Sequence, residues 1–514
     1  MTLNASSLAA AVGASVKNVQ FQSEALNLPR KILVLGTYDP AKTGVVPLEP
    51  IQVLSAEDAG NQFGFGFMAH RLVEQAFIGG QGVPVYVQPQ EEAGGAAAST
   101  GEIDFVGSTG VAAGTIALRI AHLPVPVNIL AAATADEIAT AVAAAITADK
   151  TLPVTAAALT TVVTFTSKTK GPWGDDISIK LTGVLPAGVV ASITGMSSGS
   201  GVPTMATALD ALGTGDDANE DYYTDVVHGY GQDATTLDAI STYVGAGNEA
   251  TGLYGKTVAR PFRSPSGDVV AGSSGLSALV VISDGRKLDR ANGVISVPGS
   301  ASHPSEIAAQ AAGHMARINM DRVAQHYVGI PLIEVDPGAK ADRWTSQYDN
   351  RDTAVKSGVS PTRVQNGVVV LQNVVTFYRP DSVPVASNGY RSMRNVGIIQ
   401  NLLFNIRLNF EQEKWQGIAI VADTLRVTNV TDRQKARDID AVKDDLVALA
   451  LSFESHAWIY EAAFTINKLK EPGAVTIRAG ANGFDNILSV IFSGEGGILD
   501  TVVEFDTSLA VLLN

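Results

Sequence analysis

Histidine is the side chain best suited to binding metals and moving protons near neutral pH, so histidines are the first candidates for chemistry. The sequence has seven, His70, His122, His228, His303, His314, His326 and His456. None belongs to an H-E-x-x-H motif or has a second histidine four residues away, the spacing that places two zinc ligands on one helix face. Acidic pairs such as Asp216–Asp217 and Asp444–Asp445 are predicted to lie in a loop and on a solvated helix face. The residues therefore predict no metal site, no cofactor and no catalytic group.

Two glycine motifs could in principle bind a phosphate or hold a nucleophile. The segment 253–257, LYGKT, resembles the end of a P-loop, but the first glycine of that motif falls at Ala250. Residues 195–199, GMSSG, match G-x-S-x-G, yet Ser-Gly-Val-Pro follows at 200–203. A nucleophile elbow needs a strand before the serine and a helix after it. We interpret the first motif as a turn and the second as a flexible linker.

The length, charge and composition of the chain indicate which kinds of partner it can bind. The chain has 514 residues, enough for several domains, and a net charge of −15. An acidic balance disfavours nucleic acids and anionic membranes, because both attract basic surfaces. No apolar run reaches the roughly 18 residues of a membrane span. The sequence has no cysteine, and its first basic residue, Lys17, follows the short apolar segment 8–12. That order is wrong for a secretory signal, so we expect synthesis and assembly in the cytoplasm.

The elements that would have to position any site begin as an α/β pattern. An apolar strand is predicted at 31–39, a helix at 55–77 with Ser55 and Asp58 at its start, and a second strand at 83–89. Strand, helix and strand in this order indicate an α/β domain.

A different pattern then interrupts the α/β domain. After a low-complexity linker at 91–101, short strands alternate through 102–182, with a helix at 134–149 opened by Thr134 and Glu137. We interpret this stretch as an inserted, β-rich module.

Past the module the α/β pattern resumes and then changes again. A core strand is predicted at 278–284, and a helix at 304–327 begins at Pro304. Two long helices are predicted at 394–415 and 432–456. Short strands follow at 464–470, 475–479 and 487–493.

The last residues form the most regular pattern in the sequence. From 500 to 512 the odd positions are Thr, Val, Phe, Thr, Leu and Val, which predicts a strand with one apolar face. On the pattern alone, this strand either completes the sheet of its own domain or pairs with another chain. Residues 1–28 are small, polar and weakly patterned, which is typical of an extended arm.

Taken together, the elements resemble the tail sheath proteins of contractile-tailed phages, specifically the Mu-like branch. Three stretches carry the resemblance. The first, 114–181, ends in GPWGDDI, which is similar to the family's G-x-W-G-x-x-I turn, although family members more often have asparagine where this chain has Asp175. The second is RDTAVKSGVSPTRVQNGVVVLQNVVTFYR at 351–379, and the third is the helix-and-sheet region 394–506.

The resemblance implies an α+β multidomain fold: an α/β core, an inserted β-rich module, and a C-terminal helix-plus-sheet domain carrying extended terminal arms. In such sheaths the arms add strands to sheets of neighbouring subunits. The inter-subunit strand residues expected here are Val16, Val19, Phe21, Val503, Phe505, Leu509 and Val511. The expected domains are an N-terminal arm at 1–28, the core at 29–90 and 186–390, the module at 91–185, a polymerising domain at 391–498 and a C-terminal arm at 499–514.

The implied function is mechanical. The chain is expected to be a non-enzymatic sheath subunit that polymerises around a tail tube in a virion tail, without nucleic acid, membrane insertion or cofactor. Its expected partners are other copies of itself, the tube protein, and baseplate and tail terminator proteins.

Two other interpretations remain open from the sequence. An α/β nucleotide-binding enzyme with accessory domains predicts a monomer or small oligomer that binds a small ligand. A secreted adhesin or surface-layer protein requires an export signal. Electron microscopy of the purified protein separates these from a sheath, which forms hollow helical tubes.

Overall fold

A computed structural model describes residues 25–247, 250–379, 388–478, 480 and 482–494. These residues divide into two compact units. The larger unit contains residues 27–407 and Gly494, and the smaller unit contains residues 408–493 together with Ala25 and Leu26.

The larger unit begins with strands and helices in alternation. The first part of the chain gives β1 (Ile32–Thr37), β2 (Ile51–Val53), α1 (Ala56–Phe63), α2 (Met68–Gly79) and β3 (Val85–Gln90). All six residues of β1 are buried, as expected for a strand covered on both faces.

The module elements come next in the chain. They are β4 (Ala98–Asp104), β5 (Gly114–Ile120), β6 (Leu123–Ile129), α3 (Ala135–Ala148), β7 (Val154–Leu159), β8 (Val162–Lys170), β9 (Ile179–Thr182) and β10 (Ser192–Ser197). Antiparallel pairing produces a four-stranded sheet, β10-β4-β8-β7, and a three-stranded sheet, β6-β5-β9. The predicted helix at 134–149 is confirmed, and Thr134 and Glu137 form a capping box at its start.

The remaining elements of the larger unit complete its two central sheets. They are α4 (Met205–Asp210), β11 (Asp225–His228), α5 (Ala234–Val244), β12 (Ser264–Asp268), α6 (Gly272–Asp284), β13 (Asn292–Ser296), α7 (Pro304–Asp321), β14 (Pro331–Leu332), α8 (Tyr348–Lys356), β15 (Val359–Gln365), β16 (Val368–Leu371) and α9 (Met393–Phe410). The last three residues of α9 belong to the smaller unit. One sheet has the order β11-β1-β3-β2 and the next β12-β13-β15-β16-β14, with a parallel bridge between Asp225 and Arg263 joining them.

Two helices of this unit approach each other unusually closely. A Cβ atom on Gly79 of α2 would lie 2.0 Å from the carbonyl oxygen of Gln310 in α7, and one on Gly313 of α7 would lie 2.5 Å from that of Ala76. Such distances leave no room for a side chain, so the glycines allow the two backbones to touch. Helix α2 also contacts β1 and β3, and α7 contacts β11, β12 and β13.

The smaller unit consists of helices and two short sheets. Its elements are β17 (Ala419–Ile420), α10 (Val430–Lys435), β18 (Ala436–Arg437), α11 (Ile439–Ser455), α12 (Ala462–Leu469), β19 (Val475–Ile477) and β20 (Phe484–Asn486). Strands β17 and β18 pair in parallel, and β19 and β20 pair antiparallel. Residues Val442, Leu446, Leu449 and Phe453 of α11 are buried, as their spacing predicts.

The structure corrects the single helix expected at 55–77. It is two helices, because Gly64 and Gly66 adopt φ values of 97° and 80°, which end α1 and redirect the chain. A Cβ on Gly66 would lie 2.1 Å from the carbonyl oxygen of Leu152, so the break is where the module meets the core. The Ser55 cap is confirmed, since its hydroxyl accepts from the Asp58 amide at 3.0 Å.

Two predicted strands are helices. The segment 278–284 belongs to α6, in which Leu276, Leu279 and Ser283 are buried at helical spacing while Val281 is 71% exposed. The segment 464–470 belongs to α12, where Ala462, Thr465 and Leu469 are buried. A short apolar run does not distinguish a strand from a helix, because a few residues are compatible with both the two-residue period and the 3.6-residue period.

Other element boundaries also differ from prediction. The helix expected at 304–327 ends at Asp321, where the amide side chain of Asn319 donates to the Val323 carbonyl at 2.9 Å and stabilises a turn. The helix expected at 432–456 is interrupted at Asp438, which caps α11. The linker predicted at 195–203 begins as strand β10, paired with β4 of the module, beyond the boundary of 185 expected for that module.

Candidate assembly residues and buried charge clusters

The predicted inter-subunit strand residues lie outside the described part of the chain. Val16, Val19 and Phe21 precede Ala25, and Val503, Phe505, Leu509 and Val511 follow Gly494. Their roles therefore stay predictions.

The described end of the predicted N-terminal arm is packed. Ala25 and Leu28 are buried, and the Ala25 amide donates to the Ser452 hydroxyl of the smaller unit at 2.8 Å. The Leu28 amide donates to Oδ1 of Asn401 at 2.8 Å, and the Asn27 side chain donates to the Met320 carbonyl at 2.8 Å. Residues 25–28, the last four of the expected arm, are thus held in place.

A buried charge cluster lies beside this segment, centred on Arg263. Its guanidinium donates to Asp225 at 2.8 Å through Nε and contacts the same carboxylate at 2.6 Å through Nη2. Its Nη1 donates to Oδ1 of Asn319 at 2.8 Å and to the Tyr327 hydroxyl at 2.7 Å. Burial alone would lower the pKa of Arg263, but Asp225 outweighs it and the pKa is raised. The guanidinium and the carboxylate therefore form an ion pair buried inside the larger unit.

A second cluster joins the module to the core. Arg71 of α2 donates to Glu306 of α7 at 2.8 Å through Nε and 3.1 Å through Nη2, and it also contacts Glu74. Nδ1 of His122, in the turn between β5 and β6, lies 3.4 Å from Oε2 of Glu306. Burial by itself would raise the pKa of Glu306, but Arg71 holds it below its usual value. The ion pair thus links both helices to a module loop.

The turn Pro172–Asp176 of the module is fixed to the start of α7. The indole Nε1 of Trp173 donates to the Ser305 hydroxyl at 3.0 Å, and Nε2 of His303 lies 2.8 Å from the Trp173 carbonyl oxygen. Open α/β sheets bind ligands in the crevice beyond the carboxyl ends of their strands. Here Trp173 lines a cleft of about 350 Å³ with Gly229 and Tyr230, which directly follow β11. The module therefore occupies part of the place where an α/β enzyme holds its substrate.

Ser305 and His303 form a hydroxyl–imidazole pair, with Nδ1 2.8 Å from the serine oxygen. In a nucleophile pair the other ring nitrogen is oriented by a carboxylate, whereas here it faces the Trp173 carbonyl. Both side chains are buried, and the serine hydroxyl already accepts from the indole. The pair acts as a structural link between turn and helix.

The two glycine motifs do not have the context that their chemistry requires. Gly252–Gly255 form a 3₁₀ turn, and no helix follows Lys256 before β12. Ser197 ends β10, and the next helix, α4, begins at Met205. Neither segment has the strand–turn–helix geometry of a P-loop or a nucleophile elbow.

Among the described residues, no group of three or more His, Asp or Glu side chains could hold a metal ion. No helix in the described ranges is both long and apolar enough to span a membrane.

His228 at the end of β11 should make stability depend on pH. Burial lowers its pKa to about 4. As pH falls below the pKa of about 6.5 that histidine has in unfolded chains, the unfolded state binds the proton first, so stability is lost between about pH 6.5 and 4. We expect His228→Leu to reduce the loss of unfolding free energy between pH 7 and 4.5 by about 2 kcal/mol. Urea titrations at both pH values measure this, and an equal loss in both proteins would contradict it.

Comparison with known proteins supplies a relative for most of the chain. No protein-family model matches the sequence. A sequence alignment of 396 residues with the Mu-like prophage FluMu tail sheath protein of Haemophilus influenzae has 24% identity and covers 74% of this chain and 75% of that protein.

Solved structures were also compared with this chain. The sheath tail protein of Desulfitobacterium hafniense gives a TM-score of 0.43 at 11% identity, with 94% of this chain and 98% of that chain covered. The contracted PVC sheath complex of an extracellular contractile injection system gives 0.43 at 10% identity, with 98% and 100% covered.

Proposed function

We propose that this homologue of a Mu-like tail sheath protein is the structural subunit of a contractile tail sheath. It polymerises around a tail tube and contracts to drive the tube through a bacterial cell envelope. The observation that carries the proposal is the alignment with the FluMu sheath protein, which covers about three quarters of both chains. The three stretches that resemble the family by sequence motif, 114–181, 351–379 and 394–506, also support it.

The proposed domains and their roles follow the order of the elements in the chain. The module, α/β core and polymerising domain keep the limits expected from the sequence, except that the pairing of β10 with β4 supports a module that runs to about residue 200. The arms, 1–28 and 499–514, link neighbouring subunits by adding strands to their sheets.

The smaller unit offers sheet edges suited to such additions. Strands β19 and β20 form a two-stranded sheet in which each has one partner among the described residues. An edge strand carries unpaired N–H and C=O groups that can bind another strand. Ile477 on β19 and Ile487 just after β20 are exposed, which supports an apolar contact for an incoming strand. A terminal strand with alternating apolar residues, such as 500–512, has the complementary pattern.

The remaining partners follow from the sheath function. They are further copies of this chain, the tail tube protein, and baseplate and tail terminator proteins, in a virion tail assembled in the host bacterial cytoplasm. Contraction exchanges one packing of subunits for another, and a difference of a few kcal/mol per subunit is enough when many subunits switch together. No cofactor takes part, because the free energy is stored at assembly.

The rival is an α/β nucleotide-binding enzyme. The described geometry does not favour it, since Trp173 lines the crevice at the strand ends and residues 250–257 lack the first glycine of a P-loop. Electron microscopy of the purified protein tests both. Hollow helical tubes are expected of a sheath subunit, whereas a discrete small oligomer that binds nucleotide would overturn the proposal.

Assembly should strengthen with salt. Each subunit has a net charge of −15, so copies repel one another. The screening length falls to about 10 Å near 0.1 M salt, which weakens repulsion between exposed charges. Light scattering at constant protein concentration should therefore rise from low to moderate ionic strength. A steady fall over that range would show that attraction between opposite charges dominates the contacts.

A further inference from the structure

The chain passes between the two units at residues 26–27 and again at 407–408. On the side of the larger unit, the residues that follow the first passage are hydrogen-bonded to those that precede the second. We call this group, Leu28, Arg30, Gly397, Gln400 and Asn401, the crossing clamp.

The contacts within the crossing clamp are direct. The Leu28 amide donates to Oδ1 of Asn401 at 2.8 Å, and Nη2 of Arg30 donates to the Gly397 carbonyl at 3.2 Å. Nη1 of Arg30 also donates to the side-chain oxygen of Gln400. The side chains of Arg30, Gln400 and Asn401 are all buried, so water does not compete for these bonds.

The crossing clamp is itself anchored to the ends of the central strands. The Gln400 amide nitrogen donates to the carbonyl oxygens of Thr224 and Pro261 at 2.9 Å each. Thr224 directly precedes β11, and its hydroxyl donates to the Lys31 carbonyl just before β1 at 3.1 Å. Gln400 thus holds α9, the Arg30 segment and the strand ends together.

Burying the charged side chain of Arg30 is energetically unfavourable, so packing alone does not explain its presence. Burial and the neighbouring Arg263 lower its pKa to about 10, and its Nε has no hydrogen-bond partner among the described residues. Asp225, whose charge favours the ionised form of Arg30, is bonded to Arg263. Apolar residues of similar volume often replace buried charges without loss of stability. An apolar side chain could not make the two bonds of the forked guanidinium, which join the residues just after the arm to Gly397 and Gln400 of α9.

We infer that the crossing clamp transfers tension from the N-terminal arm to helix α9, and so protects the strands of the core when neighbouring subunits pull on the arm. The inference rests on the proposed sheath function for the origin of that tension. Leu28 and Arg30 bond to the same helix side by side, so a pull on residues 1–24 loads several hydrogen bonds at once. The Arg30 and Leu28 bonds would have to break before the pull reached β1 at Ile32.

A pulling experiment on the single subunit tests the crossing clamp without any polymer. The chain has no cysteine, so Thr2→Cys and Asp238→Cys give unique handles for optical tweezers. Asp238 lies on α5, and its side chain is 66% exposed. Arg30→Met should increase the rate at which residues 28–30 detach from α9 at a given force by about tenfold or more. The reason is that the hydrogen bonds from a charged donor are lost. Equal detachment rates would overturn the inference.

A matched variant separates the crossing clamp from general loss of stability. Arg290 is also a buried arginine in the larger unit, and its guanidinium stacks 4.3 Å from the Tyr390 ring. Arg290→Met should leave the detachment rate unchanged even where it lowers the melting temperature. If Arg290→Met accelerates detachment as much as Arg30→Met, the effect is general weakening and the inference fails.

The polymer then tests the sheath function separately. If the wild-type protein builds tubes, Arg30→Met tubes should form in the extended state and break on contraction more often than wild-type tubes, as counted by electron microscopy. Absence of tubes from the wild-type protein would overturn the proposed function, while the pulling result would still decide whether the crossing clamp resists force. Intact contraction of Arg30→Met tubes would contradict the role of the clamp in the sheath.

Discussion

Replacing Asp225 with asparagine should lower the free energy of unfolding of the larger unit by about 3–5 kcal/mol, the range found when one partner of a buried ion pair is removed. Asp225 and Arg263 are both fully buried, and the carboxylate lies 2.6 and 2.8 Å from two nitrogens of the guanidinium. Asparagine keeps the shape but leaves Arg263, and Arg30 beside it, without this compensating charge. Thermal and urea unfolding of the purified variant measure the loss.

An exposed ion pair in the same unit provides the control. Asp238 lies 2.8 Å from Arg286, but its side chain is 66% exposed. Pairs of this kind contribute about 0–1 kcal/mol, because water and salt screen them. Asp238→Asn should therefore change stability little. A loss at Asp225 no larger than the loss at Asp238 would contradict the view that the Arg263 cluster holds an ionised pair away from water.

Removal of residues 499–514 should abolish tube formation while the subunit stays folded. The segment has the alternating pattern of a strand and carries the expected contact residues Val503, Phe505, Leu509 and Val511. If it pairs with a neighbour, its loss leaves an acceptor edge unfilled in every subunit of the polymer. Electron microscopy and circular dichroism of the truncated protein measure assembly and folding separately. An unfolded protein, or one that still builds normal tubes, would refute the idea.

A pair of point substitutions distinguishes the two faces of that strand. Phe505→Asp places a carboxylate on the apolar face, where burial of an unpaired charge costs several kcal/mol. Ser508→Asp places the same charge on the opposite face, among Glu504 and Asp506. We expect the first variant to form no tubes and the second to form them. If the strand instead completes its own sheet, Phe505→Asp should lower the melting temperature of the subunit before it affects assembly.

Local signals in the sequence predicted many of the elements. Strand β1 is a run of apolar residues, and α3 begins at a capping box, so both are determined within a few residues of sequence. The segments at 278–284 and 464–470 were wrong because the apolar run in each is too short to show its period. In the folded chain, Ala462, Thr465 and Leu469 are buried at helical spacing in α12.

The buried clusters were not predicted, since their partners are far apart in the chain. Arg71 and Glu306 are separated by 235 positions, and Arg30 and Gln400 by 370. A weak signal was present, because Arg71 directly precedes the apolar residues Leu72 and Val73 in α2, and all three are buried. A charged residue on the core face of a helix predicts a buried partner, but not which one. The resemblance to sheath proteins led to the proposed function without these clusters, because it depends on the order of elements.

The backbone contact between α2 and α7 has a consequence for hydrogen exchange. Gly79 and Gly313 let the helices touch, and the Arg71–Glu306 pair joins them farther along. Separating them would expose both the apolar faces and an ion pair, so the helices should open together, in one cooperative event. Amide protons on the facing turns should therefore exchange with deuterium at a common, slow rate, while those of α10, which has no buried residue, should exchange early. Mass spectrometry of deuterated peptides would then identify the α2–α7 pair as the slowest-opening part of the subunit.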